Sequence, residues 1–212
     1  RRSEYENSGM SRTGSSHDRP RLILASESPR RRDLLKQIGI VPDQIVSPQV
    51  DETQRPEEKP AALAARLAEA KARAIAAPGP RCLVLGADTV VACGRRVLPE
   101  SADADEARRA LALLSGRRHR VLGGVCVIDG DARARHRLVT TIVSFKRLEA
   151  REIEQYIASD EWRGKAGGYA VQGRAAVFIS KVIGSYSNIV GLPLFETAAL
   201  LHGLGYSADG RG

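Results

Sequence analysis

Apolar runs alternate with helical stripes along this chain, the pattern of an α/β protein. Leu22, Ile23 and Leu24 read as a short inner strand. Pro29, with Leu34, Leu35 and Ile38 at helical spacing, predicts a helix over 29–38. A strand is expected at 44–47, leading into an acidic turn. Residues 60–77 predict a longer helix, with Leu63, Leu67, Ala70 and Ala74 on its inner face and Arg66, Glu69 and Arg73 outside. Strands are expected at 83–87 and 89–93, with Gly94, Arg95 and Arg96 as a turn. A helix over 104–114 precedes an apolar hairpin at 119–128 and 137–146 around Asp129-Gly130-Asp131. Helices at 149–158 and 194–202 close the chain, and there is no internal repeat.

Composition narrows the class. The 212 residues are 42% hydrophobic, enough for a sizeable core in one compact domain or two closely joined lobes. No apolar run approaches the roughly 20 residues that span a bilayer. The polar, charged start has no signal-peptide pattern, and a cytoplasmic location is the expectation. Residues 1–20 are poor in aliphatic side chains and read as a disordered tail, with 208–212 a second, short tail. Met10 is the sole methionine and is expected to mark the original start. Cys82, Cys93 and Cys126 lie in apolar stretches without CxxC spacing, as small reduced core residues do. The net charge of +8 is spread along the chain rather than gathered in a block, so nucleic acid is not the expected partner.

Three stretches carry candidate chemistry. At 22–35 (LILASESPRRRDLL) a strand feeds a Ser-rich loop at a helix N-terminus, where free N–H groups, the helix dipole and Arg30, Arg31 and Arg32 favour an anion. Ser26 and Ser28 either donate to phosphate oxygens or simply cap the helix. At 84–91 (VLGADTVV) an apolar strand delivers Asp88, a carboxylate that needs a metal, a cation or a cleft. Residues 165–173 (KAGGYAVQG) form a Gly-rich loop carrying Lys165 and Gln172; a Gln side chain offers both a donor and an acceptor to a base edge.

With further ordered motifs, these segments resemble the Maf family of nucleoside triphosphate pyrophosphatases over about 22–206. The family's LASxSPRR falls at 24–31, DET at 51–53, RLAxxKA at 66–72, GADT at 86–89, LSGxxHxV at 114–121 and GSYxNxVGLPLxET at 184–197. The resemblance implies an α/β fold with an elongated mixed sheet flanked by helices, and a central active-site cleft between two lobes. It implies hydrolysis of a nucleoside triphosphate to a monophosphate and pyrophosphate with a divalent ion, Mg2+ or Mn2+. Asp88 would be general base or metal ligand, with Glu52 the second carboxylate and metal ligand. Arg30, Arg31 and Lys71 would hold the triphosphate, with Ser26 and Ser28 as further donors. Thr89, Lys165 and Gln172 match the branch that acts on dTTP and UTP rather than on 7-methyl-GTP; a purine nucleotide pyrophosphatase, or a division-regulating protein without turnover, is the alternative. A homodimer through 191–193 and the hairpin strands is expected by analogy alone.

The chain departs from that pattern at three positions. Glu100 stands where the family usually has a Lys; it either points away from the phosphates, recruits metal or slows the enzyme, and the last is the expectation. Gly123 replaces a usual Thr, and Gly164 an acidic residue.

Overall fold

The computed structural model describes residues 19–75 and 79–208. In chain order these form β1 (Arg21–Ala25), α1 (Pro29–Gln37), β2 (Gln44–Val46), α2 (Pro60–Arg73), β3 (Cys82–Cys93), β4 (Arg96–Leu98), α3 (Ala104–Leu114), β5 (Arg118–Ile128), β6 (Ala134–Phe145), α4 (Ala150–Ile157), β7 (Ile179–Ile183), α5 (Tyr186–Val190) and α6 (Leu194–His202), with a 3-10 turn at Arg174–Phe178. One mixed sheet runs β2-β1-β3-β5-β6-β7, with β4 also on β3. The first three strands are parallel and the rest antiparallel.

β3, β5 and β6 have 12, 11 and 12 residues, so each is about 40 Å long and runs through both ends of the molecule. Two strands were expected in place of β3. It is instead unbroken, because β5 pairs with it without interruption from Val84 to Ala92. Its other edge is broken: β1 pairs as far as Gly86, and β4 begins only at Val91. Ala87 to Val90 therefore border a slot in the sheet.

The helices follow the alternation of β3. On one face, α2 lies along the whole strand: Leu63, Ala64 and Leu67 pack against Val90 and Leu122, while Ala68 and Ala72 pack against Val84 and Cys126. Gly86 and Gly124 permit this approach; a Cβ at either would lie 2.3 or 2.2 Å from a carbonyl oxygen of α2. The opposite face is divided. α1 and α6 cover Leu83, Leu85 and Val125 at one end, while α3 and α4, with Trp162 and Phe178, cover Val91, Val121 and Phe145 at the other.

The buried stripe of α2 is Leu63, Ala64, Leu67, Ala68, Lys71 and Ala72, whereas Ala70 is half-buried and Ala74 exposed, contrary to the inner face expected. The stripe is shifted because the glycines draw the helix down onto its small residues. α2 ends at Arg73, and residues 76–78 of the expected helix lie outside the described residues. Most of the expected N-terminal tail, 1–18, also lies outside them, as do 209–212. Arg19 is anchored: its guanidinium pairs with Asp43 at 2.9 Å and sits 5.0 Å from the centre of the Tyr206 ring. Cys82 and Cys126 are buried and Cys93 half-buried, all as free thiols. No described helix is long and apolar enough to cross a membrane.

Candidate active site

The slot opens into a cleft of about 860 Å³, within the range of small-molecule sites. Because it passes through the sheet edge, side chains from both faces of β3 reach it: Asp88 on the α2 side and Thr89 on the other. Ser26, Ser28, Arg30, Arg31, Glu52, Lys71, Glu100, Lys165 and Gln172 all line it as well. The residues singled out in the sequence thus converge on one cavity.

Its charged centre is a cation held by two carboxylates. Lys71 Nζ lies 2.7 Å from Asp88 Oδ1 and 2.8 Å from Glu52 Oε1. Asp88 and Lys71 are buried, while the Glu52 side chain is 58% exposed at the rim. Lys71 depends on the close approach of α2, since its amine meets a strand residue two places beyond Gly86. Glu52 is placed by a latch that sequence reasoning missed. Arg66 Nε donates to Glu58 at 2.7 Å and Nη2 to the Thr53 carbonyl at 3.0 Å, tying 53–58 to α2. This guanidinium holds the Glu58 carboxyl down at about 2. A Glu eight residues before an Arg leaves no pattern at helical or strand period, so nothing in the sequence marked the pair.

The other wall is the start of α1. Ser28 is its N-cap but makes no side-chain cap bond. Ser26 Oγ accepts from the Ser28 N–H at 3.2 Å and from Arg31 Nη1 at 3.1 Å. Arg31 is buried, and spends its other donors on the Gly191 carbonyl at 2.9 Å and Thr89 Oγ1 at 3.3 Å. Burial draws its pKa below the ordinary value, and the Asp88 charge opposes that shift. Arg31 is thus a clamp joining α1, β3 and the segment after α5. Arg30 is more open and crosses the cleft, with Nε on the Val190 carbonyl and Nη2 on the Gly164 carbonyl, both at 3.3 Å.

Glu100 faces this wall. Its backbone forms an antiparallel bridge with Ala166, and its carboxylate acts electrostatically on Arg30, Arg31 and Lys165. Lys165 Nζ donates to the Arg163 carbonyl at 3.0 Å; burial and the Arg30 charge lower its pKa. Among the described residues none of these three cations has a carboxylate within 4.0 Å, so Glu100 balances them from further away.

Asn188 was missed as a positioning residue, although it lies in a quoted motif. Its Nδ2 donates to the Val121 carbonyl and to Thr141 Oγ1, each at 3.1 Å, fixing α5 to the sheet. Its Oδ1 rests against Gly123, where a Cβ would lie only 1.8 Å away. A side chain at 123 would push the Asn188 amide out of this seat. Gly191, Leu192 and Pro193 are buried beside Arg31, while the first half of β6, from the hairpin also expected in a dimer face, is largely exposed.

A cleft lined by a lysine–carboxylate centre, a helix N-terminus and two arginines without a carboxylate partner within 4.0 Å among the described residues suits an α/β protein that handles phosphate esters or anhydrides. The chain belongs to the Maf-like protein family, whose model matches residues 21–204. It is 59% identical to the dTTP/UTP pyrophosphatase of Paramagnetospirillum magneticum over 88% of this chain and 98% of that protein. It is 56% identical to the dTTP/UTP pyrophosphatase of Rhodospirillum rubrum over 87% and 88% of the two chains. A solved nucleoside-triphosphatase / dITP/XTP pyrophosphatase from Mycobacterium abscessus superposes at a TM-score of 0.38 with 18% identity, covering 61% of this chain and 74% of that one.

Proposed function

We propose that this chain is a nucleoside triphosphate pyrophosphatase that hydrolyses dTTP and UTP to the monophosphate and pyrophosphate. The observation that carries the reading is the Asp88–Lys71–Glu52 centre facing the N-terminus of α1 across one cleft. The relatives named dTTP/UTP pyrophosphatase supply the substrate class.

In this reading the triphosphate lies against Arg30, Ser26, Ser28 and the positive end of the α1 dipole, which hold its charge. Asp88 receives the proton of the attacking water, and the water oxygen ends on one side of the broken α,β anhydride. Pyrophosphate leaves, its added charge met by Lys71 and Arg30. Asp88 and Glu52 are hard oxygen donors that fit a divalent ion, Mg2+ or Mn2+. Such an ion would polarise the attacked phosphorus. Thr89, Lys165 and Gln172 are the residues assigned to choice of the pyrimidine.

The test is pyrophosphate release from a panel of canonical and modified nucleoside triphosphates, with Asp88→Asn in parallel. Turnover of dTTP and UTP that falls at least about a hundredfold in Asp88→Asn is expected. A preference for purine nucleotides, or an active Asp88→Asn, would overturn it.

A further inference from the structure

His119 lies in the one quoted motif for which neither the clamp nor the lysine centre accounts. It is 2% exposed, on β5, with its ring edge-on to Phe145 and Tyr169 at 5.1 and 5.5 Å between centroids. Nε2 is 2.8 Å from the Tyr169 hydroxyl oxygen, and Nδ1 is buried without a hydrogen-bond partner. Burial pushes the imidazole down to about 4, so it is neutral and carries one N–H. Either the imidazole Nε2–H or the Tyr169 hydroxyl can be the donor of this bond, according to the tautomer of the ring.

Tyr169 sits in the middle of the Gly-rich loop and lines the cleft. The loop is also tied through its backbone, and its Tyr169, Ala170 and Val171 are buried. Gly167 N–H donates to the Leu98 carbonyl at 3.0 Å, and Ala170 N–H to the Tyr156 hydroxyl at 3.0 Å. Gly167 and Gly168 have φ of +72° and +71°, and a Cβ at Gly167 would meet Val91 at 2.9 Å, so the loop is tightly seated but conformationally permissive. Lys165 lies on one side of Tyr169 and Gln172 on the other.

We propose that His119 is a positioning residue, whose bond to Tyr169 sets the Gly-rich loop so that Lys165 and Gln172 meet the nucleotide. The assignment rests on the pyrophosphatase reading for its substrate but not for its geometry. His119 acts on nucleotide binding and base selection, and leaves the Asp88 chemistry alone.

Two measurements on His119→Leu, His119→Gln and Tyr169→Phe test this. The first is amide hydrogen exchange over residues 165–173 in the nucleotide-free protein. Faster exchange in His119→Leu and Tyr169→Phe, largely reversed in His119→Gln, whose amide can reach where Nε2 stood, is the expected result. The second is steady-state kinetics with dTTP and UTP, where KM should rise about tenfold in His119→Leu with kcat changed less than about twofold. Tyr169→Phe keeps the ring packed and guards against a folding failure in the Leu variant. Unchanged loop exchange in both variants, a loss confined to kcat, or a Gln variant no better than Leu would overturn the proposal. A wild-type protein inactive on every nucleotide would overturn the pyrophosphatase reading instead, and the exchange data would still decide the role of His119.

Discussion

At the residue scale the site is a distribution of unequal charges, and Glu100 is the informative one. It acts on Arg30, which the triphosphate must also use, as well as on Arg31 and Lys165, so it competes with the substrate from within. Exposure and salt weaken such a contribution. Glu100→Gln is expected to lower KM for dTTP about threefold, with the gain shrinking as ionic strength rises. Steady-state kinetics at two salt concentrations would check this, and an unchanged KM would place the carboxylate out of reach of the phosphates. His119 predicts a pH effect on stability. Its folded pKa of about 4 lies below the ordinary 6.5, so as pH falls the unfolded chain takes up the proton first. Stability should decline from about pH 6.5 to pH 4 and then level off, by up to about 3 kcal/mol. Denaturant unfolding at pH 7 and pH 5 would show the decline, and His119→Gln should flatten it.

At the scale of elements, the contact between α2 and β3 decides whether the lysine reaches its carboxylate. Gly86→Ala would press a methyl group against the backbone of α2 and lift the helix from the sheet. A destabilisation of about 2 kcal/mol is expected, with a loss of turnover well beyond that cost, because Lys71 retreats from Asp88. Thermal unfolding and pyrophosphate release on the same sample would separate the two effects. Helix periodicity made α1, α3, α4 and α6 legible within a residue or two, since each buries one apolar stripe. The order of motifs made the site residues legible as a group. The stripe of α2 was misjudged because its nearest neighbours are glycines, which carry no hydrophobic signal yet fix where a helix lies. β7 and α5 escaped because they are five residues each and half exposed, and α5 is held by the buried amide of Asn188 rather than by an apolar face. The Arg66–Glu58 latch and the role of Glu52 beside Lys71 are relations across space that no period in the sequence records.

For the whole molecule, the slot and the long strands belong together. Three strands pass through both ends without a break, while the neighbouring edge of β3 stops at Gly86 and resumes at Val91. Arg30 crosses the opening from α1 to the Gly164 carbonyl. A plate notched on one edge and continuous on the other does not swing like a door; it widens its notch only by bending or twisting along its stiff side. Admission and release of a nucleotide should therefore cost small, distributed distortions of the sheet rather than the turning of one joint.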